Sequence, residues 1–215
     1  MRRSLCSGLL VASAFLLACS SMRADIIFTL GNNPEPDEIN VLLSSGDSGT
    51  TITGTLTGTE YEVVFSSSQT LLSPSNGQAR VSANPEGSPL TNLIISLDDA
   101  VYGDIILNPF IGSCRDCVAG NATVTVNSVD SNGVPEAQST FTYALGNGQN
   151  FLTIVASNGE SIVSTTIDAP GGFHDLRQPR ISGADELTAV PEPATITMLG
   201  MGIVGLGLLR KFRKA

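Results

Sequence analysis

Between positions 25 and 189 the apolar residues recur at every second position in short runs, and this period restricts the fold more than any other feature of the chain. Successive side chains of a β-strand point to opposite faces. A run such as Thr51-Ile52-Thr53-Gly54-Thr55-Leu56 therefore offers one face to a core and the other to water. Strands are predicted over 26–30, 39–43, 51–57, 61–66, 78–83, 90–97, 104–107, 122–129, 139–145, 150–156, 161–167 and 176–181. Turn residues separate them: Asn76-Gly77, Asn132-Gly133, Gly146-Asn147-Gly148 and Asn158-Gly159. Asn158-Gly159 lies between two alternating runs and is the clearest hairpin signal. No stretch of the body keeps a helical period over three turns, and no internal repeat suggests a propeller or solenoid. The expected fold is a single all-β domain, an antiparallel two-sheet sandwich of which a jelly roll is one variant.

Charge narrows the range of partners. The whole chain stands at −9, yet the body contains no lysine and only Arg80, Arg115, Arg177 and Arg180, against nineteen acids. A body near −15 repels phosphate backbones and anionic headgroups, so nucleic acid is not an expected partner. Its 165 or so residues suffice for one domain with a core of its own.

The two ends read as addresses. Residues 1–24 have the form of a secretory signal, with Arg2 and Arg3 leading an apolar run over 5–18 and small residues leading to Ala24. That form implies the Sec export machinery. Leu16-Leu17-Ala18-Cys19 also resembles a lipoprotein signal box, which makes a diacylated Cys19 an alternative anchor. At the other end, Val190-Pro191-Glu192-Pro193 precedes sixteen uncharged residues, 194–209, and then Arg210-Lys211-Phe212-Arg213-Lys214. As a helix, sixteen residues span roughly 24 Å, slightly short of a ~30 Å hydrocarbon core, and snorkelling of the terminal cations covers the difference. The basic tail should stay on the cytoplasmic side and the body on the far side.

This C-terminal arrangement resembles the PEP-CTERM sorting signal of Gram-negative bacteria over residues 190–215: a Pro-Glu-Pro tripeptide, a short Gly-rich apolar segment and a basic end. The resemblance implies an exosortase, an integral-membrane transpeptidase, that recognises Pro191, Glu192 and Pro193 and removes the tail. It also implies a precursor tethered to the inner membrane with its body in the periplasm, then a mature protein at the cell surface or in an exopolysaccharide matrix. A plain tail anchor is the rival reading. Both prolines stiffen the stretch that presents the one carboxylate of Glu192. Within the body, residues 172–178 (Gly-Phe-His-Asp-Leu-Arg-Gln) with Ile181-Ser182-Gly183 resemble the closing strands of uncharacterised β-sandwich domains found beside this signal.

Few residues suggest chemistry. Cys114 and Cys117 are the body's only Cys-x-x-Cys; with His174 they supply three zinc ligands at best, where four are needed. In an oxidising compartment a disulfide across the 111–120 loop is the expected state of the pair. His174 has no nucleophile motif to serve. Glu35, Asp37 and Glu38, and separately Asp98-Asp99, group oxygens of the kind Ca2+ takes, without the spacing of an EF-hand. The chain has no tryptophan, and only Tyr61, Tyr102 and Tyr143 could serve as phenolic platforms for sugars. The expected function is that of an exported, non-catalytic surface or matrix protein without a resident cofactor. A carbohydrate-binding module for the cell's own exopolysaccharide is the alternative, and a secreted hydrolase stands further back.

Overall fold

The computed structural model describes residues 25–187 apart from positions 75 and 113, so the leader, the Pro-Glu-Pro motif and the 194–209 segment lie outside the described residues. The strands run in chain order β1 (Asp25–Leu30), β2 (Ile39–Leu43), β3 (Ser48–Leu56), β4 (Glu62–Leu72), β5 (Gly77–Gln78) and β6 (Arg80–Ala83). Next come β7 (Leu90–Leu97), β8 (Ala100–Val101), β9 (Asp104–Leu107), β10 (Pro109–Phe110), β11 (Gly120–Val129) and β12 (Ser139–Leu145). The last are β13 (Leu152–Ser157), β14 (Ser161–Phe173), β15 (Asp175–Arg177), β16 (Arg180–Ser182) and β17 (Asp185–Glu186). All pairings between them are antiparallel. Among the described residues there is no helix, and hence none long and apolar enough to cross a membrane.

The alternation decides which face each strand buries. On β3, Ile52 and Leu56 point inward while Thr51, Thr53 and Thr55 face water. On β7, Leu90, Leu93, Ile95 and Leu97 enter the core, and on β11 Ala122, Val124 and Val126 do. β9 departs from the rule: Asp104, Ile105, Ile106 and Leu107 are all buried, as expected of a strand covered on both faces. Phe65, Tyr102 and Phe173 are the bulkiest fully buried side chains of the core.

Strand pairing joins the two expected sheets into one. From one end the order is β1-β13-β9-β16-β2-β3-β4-β7-β14-β11-β12, within a network of fifteen strands. The join is β2, whose Asn40 and Ile39 pair with Arg180 and Ile181 of β16 while Val41 and Leu42 pair with Leu56 and Thr55 of β3. The two ends of this path then come together. Phe28 of β1 stacks on Phe141 of β12 at 5.3 Å between ring centres, and Phe141 stacks on Tyr143 at 6.1 Å. Aromatic rings seal the seam where ladder hydrogen bonds stop, leaving an antiparallel sheet nearly closed into a barrel-like shape.

The Asn158-Gly159 turn forms, with both residues at positive φ (57° and 83°), but it does not make the expected hairpin. β13 is taken on its two edges by β1 and β9, and β14 by β7 and β11. The turn therefore carries the chain round a corner between two stretches of sheet instead of folding it back on itself. A primed turn matches the twist of paired strands, yet a strand whose edges are both occupied has no bond left for its neighbour in sequence.

Candidate functional site

The most elaborate polar cluster among the described residues grows from the end of β14. Its ladder with β7 is interrupted between Asp168 and Phe173, where Gly171 and Gly172 pass close to other chain segments. A Cβ on Gly171 would lie 2.2 Å from the Val118 carbonyl oxygen, and one on Gly172 would lie 2.4 Å from Pro89 Cβ at a φ of +72°. The bend delivers β15 between two short strands: Leu176 pairs with Pro109 of β10 and with Val81 of β6. Arg177 then sits directly opposite Arg80, and Asp175 opposite Ser82.

Like charges directly opposite one another ordinarily destabilise a sheet. Here Asp175, two residues before Arg177 and on the same face, resolves the conflict. Its carboxylate is fully buried and receives both guanidiniums. Arg177 Nε donates to Oδ1 at 2.7 Å and its Nη2 to Oδ2 at 3.3 Å, while Arg80 Nε makes a short bond to Oδ2. Arg177 also lies over the Phe110 ring, 3.4 Å from its centre, and Phe110 meets His174 edge-on at 6.4 Å. His174 Nδ1 is 3.0 Å from Asp175 Oδ2 but is not aligned for a hydrogen bond. On the outer side Arg80 Nη2 reaches Glu86 Oε1 at 3.0 Å. Beside the two arginines opens a cleft of about 310 Å³ lined by Gln78, Ala79, Arg80, Arg177 and Gln178. Gln178 has a φ of +47°, and its N–H donates to the Ala79 carbonyl at 2.8 Å.

The residues singled out from the sequence are placed around this centre and away from it. Cys114 and Cys117 are joined by a disulfide, Cα atoms 5.4 Å apart. Their loop is tied to both neighbours of the centre: Arg115 N–H donates to the Gly87 carbonyl at 3.2 Å, and Val118 N–H to that of Gly171 at 2.8 Å. The loop thus backs the Gly171-Gly172 bend and the turn that carries Glu86. Of the calcium candidates, Glu38 is drawn to Arg180 at 3.2 Å and also accepts the Glu35 N–H at 3.1 Å. Asp37 and Asp99 occupy the left-handed region at φ of 65° and 50°. Among the described residues, no three His, Cys, Asp or Glu side chains converge as metal ligands do. The tyrosines do not form a platform. Tyr102 is fully buried with its hydroxyl 2.9 Å from Thr165 Oγ1, Tyr143 is buried, and Tyr61 packs half-buried against the core.

Two carboxylates lie buried away from the arginines. Glu160 is only 7% exposed; its Oε1 accepts from Ser128, and its Oε2 has no hydrogen-bond partner among the described residues. Burial pushes its pKa up, Glu136 and Asp25 add to the effect, and the Ser128 bond opposes it. Asp104, which accepts from the Ser182 N–H at 3.1 Å and from its hydroxyl, is raised chiefly by burial too, with Glu38 and Glu35 adding. A carboxyl raised in the folded state keeps its proton where the unfolded chain has lost its own. Folded protein therefore holds the extra proton from the ordinary carboxylate range up to the folded pKa, and stability falls as pH rises through that window. Glu160→Gln, which keeps the acceptor for Ser128 and carries no charge to bury, is expected to raise Tm at neutral pH. The gain should vanish near pH ~3, below the ordinary glutamate range, where both states of the wild type are protonated. A Tm series against pH for the two proteins reads this directly.

A family model for the PEP-CTERM protein-sorting motif matches residues 189–214, a segment that includes Pro191, Glu192 and Pro193. The motif indicates export and sorting through an exosortase: a chain anchored in a membrane, then processed, and bound for the cell surface. No curated protein and no solved structure matches the chain.

Proposed function

We propose that this chain, carrying a PEP-CTERM motif at 189–214, is a non-catalytic protein of the cell surface or extracellular matrix, linked to exopolysaccharide or the envelope. The match of that motif is the observation that carries the reading. In this account residues 1–24 direct export through the Sec machinery and are removed. Residues 25–189 form the displayed body, while 194–209 holds the precursor in the inner membrane with the body in the periplasm. The exosortase reads Pro191, Glu192 and Pro193 and cuts the tail away.

Two features of the body suit display outside the cell. Its four arginines face nineteen acids, which keeps the surface soluble and repels anionic membranes. Asp175 ties Arg80 of β6 to Arg177 of β15 in an ionic cluster, an arrangement suited to holding the two strands in place. A Glu192→Ala chain tests the sorting step. It should accumulate in the membrane fraction with residues 210–215 still attached, while the wild type is released. Release of the variant at the wild-type rate would overturn the reading.

A further inference from the structure

We propose that the cleft lined by Gln78, Arg80, Arg177 and Gln178 binds a sugar acid, one pyranose ring bearing a carboxylate, as a residue of an acidic oligosaccharide. The proposal goes beyond the sorting reading and does not rest on it, since a chain that is never cut would still have the cleft.

At its inner side the cluster has one fully buried carboxylate, Asp175, between two guanidiniums that are each about a third exposed, a local excess of one positive charge before Glu86 is counted, on a body near −15. The remaining neutralising group is Glu86, whose side chain is 46% exposed and pairs with the outer Nη2 of Arg80. An exposed ion pair of this kind contributes little. Glu86 thus occupies the place of an exchangeable carboxylate, one that a ligand's own carboxylate can take over. Guanidinium forks favour such planar oxygen pairs.

Arg177 is held by Asp175 on one side and the Phe110 ring on the other, and Arg80 by Asp175. Their side chains are already ordered, so a ligand that engages them loses less to conformational entropy. A volume of about 310 Å³ matches a single ring, at the lower end of small-molecule sites.

Gln178 has a φ of +47°, one that glycine adopts freely and a residue with a Cβ adopts at a cost. Its backbone bond to Ala79 would be made equally well by glycine. What glutamine adds is a side-chain amide on an exposed residue that lines the cleft, as the exposed Gln78 also does. Primary amides both donate and accept, which suits a ring of hydroxyls.

The test is calorimetric titration of the full-length protein with trigalacturonate, maltotriose and inorganic phosphate. The acidic trisaccharide should bind at least about tenfold more tightly than either of the others. Gln178→Gly relieves the strained φ, so it should fold at least as well and yet bind about fivefold more weakly. Glu86→Gln should change affinity in the opposite direction and tighten binding, a result that a merely structural ion pair would not produce. Equal affinity for maltotriose, equal affinity for phosphate, or trigalacturonate binding unchanged by both substitutions would each overturn the proposal.

Discussion

Asp175→Ala should lower the free energy of unfolding by about 3 kcal/mol, because it strips the shared partner from two arginines at once. The carboxylate is fully buried and accepts from Arg80 Nε, Arg177 Nε and Arg177 Nη2. Removing one member of a buried ion cluster typically costs about 3–5 kcal/mol, since the charges left behind have lost their partner in a poorly solvated place. The lower end applies here, because the two guanidiniums are about a third exposed and recover part of their hydration. Arg80 and Arg177, directly opposite each other across β6 and β15, would then also repel. Asp175→Asn keeps the shape and one acceptor and should cost less, so the order wild type, Asn, Ala in urea midpoint separates charge from packing. A loss below about 1 kcal/mol for the alanine variant would show that the cluster is not what fixes β15.

Gly172→Ala should be about as damaging, by a different route. A left-handed conformation at φ +72° costs an L-residue about 1–2 kcal/mol. The added methyl would also meet Pro89 Cβ at 2.4 Å and Pro89 Cα at 3.1 Å, so a proline ring and its backbone must move. Overpacking of this kind costs about 1–3 kcal/mol more. The expected total is about 2–5 kcal/mol, and denaturant unfolding measures it. Gly183, also at positive φ, faces only the Cα and N of Gly103 at 3.1 Å and should tolerate alanine better, which makes it the control.

Period-two alternation made the strands legible because it reports which face is buried, and β3, β7 and β11 follow it. It carries no information about which strand pairs with which. The two separate sheets expected from the sequence are one network because β2 bonds to β16 as well as β3, a choice made in tertiary structure. The same reason turned the Asn158-Gly159 hairpin into a corner. β8, β10 and β17 are two residues each, too short to display a period. Tyr143 could have been placed inside from its alternation with Leu145, and its burial argues against a stacking platform. The arginine cluster had only one local trace, Asp175 and Arg177 spaced to share a strand face, while Arg80 lies 95 residues from Asp175. Among the calcium candidates Glu38 pairs with Arg180, a partner 142 residues further along the chain that no local pattern at 35–38 announces.

The intact mass of the native protein, taken separately from membranes and from culture medium, tests the sorting account most directly. The expected result is a released species that begins near Asp25 and ends close to Pro193. A species that keeps residues 210–215 in every fraction would mean a plain membrane anchor, and added lipid mass at Cys19 would mean a lipoprotein; either result would contradict it.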